Sequence, residues 1–162
     1  MNQLEAAISQ LQRWHDKPVE FAKDLWPFCD EDKERLEWQS AFLNDLAVHD
    51  RIAVRSGHGV GKTAGCCVIP SLWWLLTRAP NAMVLVTANS QDQLRDNNWA
   101  EFRRWIAKLP DPLKDAFEVS SDHIKIKGLE ACFATARTAS KDNPEALQGL
   151  HAENMLIICD EA

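Results

Sequence analysis

The sequence predicts an α/β fold: a largely parallel sheet flanked by helices, with a helical segment before it. Three observations carry this. Short apolar runs of strand length alternate with longer stretches of helical periodicity, the pattern of strands joined by crossover helices. A glycine-rich turn, GHGVGKT at residues 57–63, stands between one such run and an apolar helical stretch. A second apolar run, MLIIC at residues 155–159, leads directly into Asp160-Glu161.

Taken in order, Leu4, Ala7, Ile8, Leu11 and Trp14 recur at helical spacing and predict a helix over residues 2–14. PVEFAKDLWPF (18–28) reads as a second short helix stopped near Pro27. DEDKERLEWQSAFLNDLAVHD (30–50) predicts a third, with Leu36, Phe42, Leu43 and Leu46 inward and an acidic run suited to a helix N-terminus. RIAVRS (51–56) reads as a short strand. Residues 62–78 read as a helix kinked or broken at Pro70. AMVLVTA (82–88) is a buried strand, and residues 90–107 form an amphipathic helix through Leu94, Trp99, Phe102, Trp105 and Ile106. FEVSSDHIKIKG (117–128) alternates with period two around Ser-Ser-Asp, a hairpin pattern, and ACFAT (131–135) adds a third strand. KDNPEALQG (141–149) reads as loop plus one short helix, and MLIIC as a fully buried strand. Two regions result: a helical segment at 1–48 and the sheet-bearing core at 49–162. The seven tryptophans fall mostly at inward helix positions and read as core.

Composition narrows the function classes. With 162 residues, the chain suffices for one domain with its own core. No apolar run approaches the roughly 20 residues that cross a bilayer. The start, MNQLEAAISQLQRW, contains acid and is no secretory leader, so a cytoplasmic protein without a membrane partner is expected. The five cysteines include no CxxC pair, which argues against a zinc site or a disulfide framework. Cys66, Cys67 and Cys159 lie in apolar runs and read as small buried hydrophobes. A net charge of −6 is wrong for a basic sheath around nucleic acid, so a DNA partner would use local basic patches or a part outside this sequence.

The chemistry concentrates in Ser56-Gly57-His58-Gly59-Val60-Gly61-Lys62-Thr63. Successive backbone N–H groups in such a turn, feeding a helix N-terminus, form an anion nest. Lys62 would reach the β- and γ-phosphates of a nucleotide, and Thr63 would offer a hydroxyl to Mg²⁺. The usual pattern has glycine where Ser56 stands; Gly57 and Gly59 keep the turn permissive. The competing reading is a glycine-rich hairpin turn. His58 is either a solvated loop side chain or, like Arg55, a cation near the γ-phosphate.

A buried strand delivers carboxylates at its C-terminal end, where open α/β sheets bind ligands. Asp160 would hold Mg²⁺, mainly through water. Glu161 would orient or deprotonate an attacking water. Two acids merely capping a strand are the alternative.

With these motifs, the chain resembles the large subunit of tailed-phage terminases. The resemblance rests on Glu37-Trp38-Gln39, Gly61-Lys62-Thr63, Val86-Thr87-Ala88 with Gln93, Gln148-Gly149-Leu150-His151-Ala152 and Ile158-Cys159-Asp160-Glu161-Ala162, and spans roughly residues 20–162. It implies a P-loop NTPase of the RecA-like class with a mostly parallel sheet, cut off after the acidic (Walker B) strand. It implies ATP with Mg²⁺, whose hydrolysis powers packaging of double-stranded viral DNA into procapsids in the host cytoplasm. The implied partners are a terminase small subunit and a portal protein, with a homo-oligomer as the full-length motor. Gln39 would read the adenine edge with Trp38 packing near the base; helix packing and a surface amide are the plainer reading. Thr87 and Gln93 would sense nucleotide or contact DNA, or simply end a strand. Arg137 would approach the phosphates or make a surface ion pair. Some terminases have arginine where His58 stands.

The resemblance also implies what is missing: further strands, a coupling motif and a nuclease domain beyond Ala162. One of those later strands would lie between residues 51–55 and 155–159. Without it, the two segments either pair directly or leave a gap, and the chain alone is expected to be no competent motor. The rivals are a helicase-like ATPase, since Asp-Glu-Ala also begins a DEAD-box motif, and a non-catalytic prophage remnant.

Overall fold

The computed structural model describes residues 3–26, 33–57, 59–88, 90, 93–138 and 151–160. Three helices come first: α1 (Gln3–Asp16), α2 (Pro18–Leu25) and α3 (Lys33–Val48). The glycine-rich turn then leads into a continuous helical run, π-helical over Thr63–Val68 and α-helical over Ile69–Thr77 (α4). Pro70 stands just after the π-helical run gives way to α4, so the break expected at this proline is a change of helical register. Strand β1 (Ala82–Ala88) follows, then a second π-helical stretch, Gln93–Trp99, running into α5 (Ala100–Ile106) and the short α6 (Asp111–Lys114). The remaining strands are β2 (Phe117–Val119), β3 (His123–Ile126), β4 (Leu129–Thr138) and β5 (Asn154–Cys159).

The five strands form one sheet in the order β2-β3-β4-β1-β5. Strand β1 pairs in parallel with β4 and β5, whereas the β2–β3 and β3–β4 pairs are antiparallel. The sheet is therefore mixed, not mostly parallel as expected. The cause is local: the Ser120-Ser121-Asp122 turn folds β3 back on β2, and the tight Lys127-Gly128 connection does the same for β4. A parallel partner would need a long crossover instead.

All seven residues of β1 are buried, with α4 and the Gln93–Trp99 stretch packed against the strand. Helix α4 packs against β1 and β4 and against α1 and α2. Its Leu72, Trp73 and Leu75 are fully enclosed, and each fully buried leucine contributes roughly 1.5–3 kcal/mol. Indole N–H groups tie the helices together. Trp14 donates to Asp24 Oδ2 at 2.8 Å, Trp73 to the Trp14 carbonyl at 2.6 Å and Trp26 to the Trp105 carbonyl at 3.3 Å. Trp14, Trp26, Trp73 and Trp99 are core; Trp38, Trp74 and Trp105 are half-buried. Ile8 and Leu11 of α1, part of its apolar helical spacing, are exposed at 47% and 36%.

Two expectations about the other side of the sheet fail together. Residues 51–57 form no strand; Ala53, Val54 and Arg55 are exposed. Strand β5, expected to be fully buried, lies at the sheet edge with Ile157 54% exposed and Cys159 exposed. Between them runs a cleft of about 1170 Å³, bounded by residues 46–56 on one side and 155–160 on the other. A strand forms only where a neighbour accepts its backbone hydrogen bonds, and 51–56 has none within reach. The expected short helix and loop at 141–149 lie outside the described residues.

Candidate functional site

Gly59 and Gly61 have φ of 73° and 83°, the left-handed region where a side chain is strained. They bend the turn so that it enters the Thr63–Thr77 helical run at its N-terminus, the positive end of the helix dipole. The Lys62 ammonium donates to the Ser56 carbonyl at 3.2 Å, closing the turn. The Gly61 carbonyl accepts from Gly65 N at 2.9 Å and from Gln39 Nε2 at 3.4 Å. Helix α3 is thereby joined to the turn. The Ser56 hydroxyl is buried and without a partner.

The acid arrives by sheet register. Thr87 of β1 stands opposite Cys159 of β5, and Asp160 N donates to the Thr87 carbonyl at 2.8 Å, extending the ladder by one residue. Thr87, nearly fully buried, keeps its own hydroxyl unpartnered. Ser56, Lys62, Cys66 and Asp160 all line the cleft. Their electrostatics agree with that proximity. Burial pushes the Cys66 thiol up to about 11; the Asp160 carboxylate pushes it the same way, and Lys62 opposes. Burial and Asp160 also raise Cys67. Of the cysteines read as small buried hydrophobes, Cys67 alone is fully so; Cys66 is half-buried and Cys159 exposed.

Among the described residues no three His, Cys, Asp or Glu side chains cluster as a metal cage. Of the sequence-nominated residues, Ser56, Lys62 and Asp160 share the cleft, while Gln39 reaches Gly61. Thr63 is half-buried at the first position of the helical run, and Gly57, Gly59 and Val60 complete the turn. Trp38 is half-buried on α3. His58 and Glu161 lie outside the described residues, as do Gln148 to Leu150.

A cleft that joins a glycine-rich turn and its lysine to an aspartate at the end of a parallel strand prompts comparison with known proteins. The chain is similar to a phage terminase large subunit. Over 117 residues it is 29% identical to the probable terminase large subunit of Enterobacteria phage P7, covering 68% of this chain and 23% of that relative. The chain thus spans about a quarter of the relative's length. No family model matches, and no solved structure matches. This terminase-like relationship is consistent with the resemblance carried by the motifs.

Two features went unread in the sequence. Arg78 stacks over Trp73 and Trp74, with its guanidinium carbon 4.2 and 3.9 Å from the ring centroids, and lines the cleft. Gly65 receives the side chain of Gln39. A glycine inside a helical pattern was the available signal for the second; nothing in the spacing marked the first.

Proposed function

We propose that the chain is the nucleotide-binding part of a phage terminase large subunit, taking ATP with Mg²⁺ for the motor that packages double-stranded viral DNA. The observation that supports this most is the shared cleft: Lys62, at the entrance to a helix, and Asp160, at the end of a parallel strand, both line it. The sequence similarity gives the family context.

In this reading the N–H groups of Gly57 to Lys62 and the Lys62 ammonium bind the triphosphate with charge-assisted hydrogen bonds. The Thr63 hydroxyl and Asp160 hold Mg²⁺, which neutralises charge developing on the phosphates. Glu161 takes a proton from the attacking water, and Gln39 reads the adenine, with Trp38 near the base. Portal protein, small subunit and further copies of the motor subunit are the proposed partners, and the host cytoplasm the proposed location. No helix among the described residues is long and apolar enough to cross a membrane. Lys62→Ala is expected to weaken ATP binding at least tenfold, since charged hydrogen bonds of about 1.5–3 kcal/mol are lost. Calorimetric titration with Mg-ATP tests this; unchanged affinity sinks the assignment.

A second reading, a chain that binds nucleotide without turning it over, is favoured by one observation. The segment leading into the glycine-rich turn belongs to no sheet, so its position relative to Asp160 is weakly fixed.

A further inference from the structure

Gln39 is held from two sides. Its Nε2 donates to the Gly61 carbonyl at 3.4 Å, across 22 residues of sequence. Beneath it lies Gly65, fully buried in the π-helical turn that follows the glycine-rich loop. A Cβ built on Gly65 would stand 2.9 Å from Gln39 Cγ, Cδ and Nε2 alike, closer than real Cβ contacts come. Glycine inside a helix is unfavourable relative to alanine, so it calls for a packing reason. The reason here is the close approach of the Gln39 side chain, which lies across the bare Cα.

We infer that Gly65 determines base specificity, acting through Gln39 as a positioning residue. The inference rests on the nucleotide reading above. Only the NH₂ end of the amide can donate to the Gly61 carbonyl, so the hydrogen bond fixes which way the amide is turned. That leaves Oε1 as an acceptor, and the second N–H as a donor, with which Gln39 reads a base. The 6-amino group of adenine donates to such an oxygen; the 6-oxo group of guanine or hypoxanthine presents a second acceptor and is repelled. Alanine at position 65 would push Gln39 off its seat and remove the discrimination, leaving the loop's own phosphate contacts in place.

The test measures affinities of the full chain for ATP, ITP and inorganic tripolyphosphate, with Mg²⁺, by calorimetry. Wild type is expected to bind ITP about tenfold more weakly than ATP. Gly65→Ala is expected to bring ATP down to the level of ITP while tripolyphosphate affinity is unchanged. Gln39→Leu is expected to show the same loss of preference, and it keeps the test open if the alanine variant does not fold. An undiminished ATP preference in Gly65→Ala or Gln39→Leu overturns the inference, as does a fall in tripolyphosphate affinity in Gly65→Ala. If wild type binds neither ATP nor tripolyphosphate, the nucleotide reading fails and this inference falls with it.

Discussion

Lys62 donates to a neutral carbonyl, that of Ser56. A phosphate oxygen is the stronger acceptor for an ammonium, so exchange from one to the other is favourable. Glu161 carries the chemistry in the proposed mechanism, and Glu161→Gln keeps its size while removing the base. Wherever turnover is measurable, in this chain or in a longer protein that contains it, the substitution is expected to preserve ATP binding and to lower kcat by about 10²–10⁴-fold. A steady-state assay beside a binding titration checks both; turnover within a few-fold of the parent would falsify the role. At this scale the sequence was legible where chemistry demands fixed residue types at fixed spacing. Ser56, Lys62 and Asp160 were readable for that reason, and they line one cleft. The seat at Gly65 and the exposure of Cys159 were not, because both depend on which element packs alongside.

Helix α4 is the element that holds the molecule together, packed against β1 and β4 and against α1 and α2. Leu72 at its centre is fully buried, and truncation there leaves a cavity among rigid neighbours. Leu72→Ala is expected to cost about 2–5 kcal/mol, and Leu11→Ala on the exposed face of α1 less than about 1 kcal/mol. Urea denaturation of the two variants distinguishes them; similar midpoints would mean that α1 packs more closely than described. The strands that buried themselves were legible, AMVLVTA as an unbroken apolar run and the β2–β3 hairpin as period-two alternation around Ser120-Ser121-Asp122. RIAVRS was misread, since a short apolar run looks the same whether or not a partner strand accepts its hydrogen bonds. The π-helical stretches Thr63–Val68 and Gln93–Trp99 were also unreadable, because they arise from packing next to the loop and β1.

At the scale of the whole molecule, the sheet has two edges, β2 and β5, and the β5 edge borders the cleft. An edge with Ile157 exposed is a template for a further strand or for self-association. Purified chain is expected to associate and to hydrolyse little ATP, with or without DNA. Ile157→Lys is expected to reduce association, measured by light scattering; scattering unchanged by the lysine would exclude this edge as the route. Brisk DNA-stimulated turnover would mean that the cleft does not disturb the site.

The cleft also carries its own optical reporter. Trp74 is half-buried on its wall, donating to the Asn154 carbonyl at 3.2 Å beneath the Arg78 guanidinium, whereas Trp26, Trp73 and Trp99 are sealed from solvent. Indole emission moves to the blue when water leaves, so filling of the cleft is expected to shift the Trp74 contribution, read beside the half-buried Trp38 and Trp105. Trp74→Phe is expected to lower the acrylamide-quenchable fraction of the fluorescence more than Trp73→Phe does. The same residue then turns any titration of a candidate strand peptide into a spectrum.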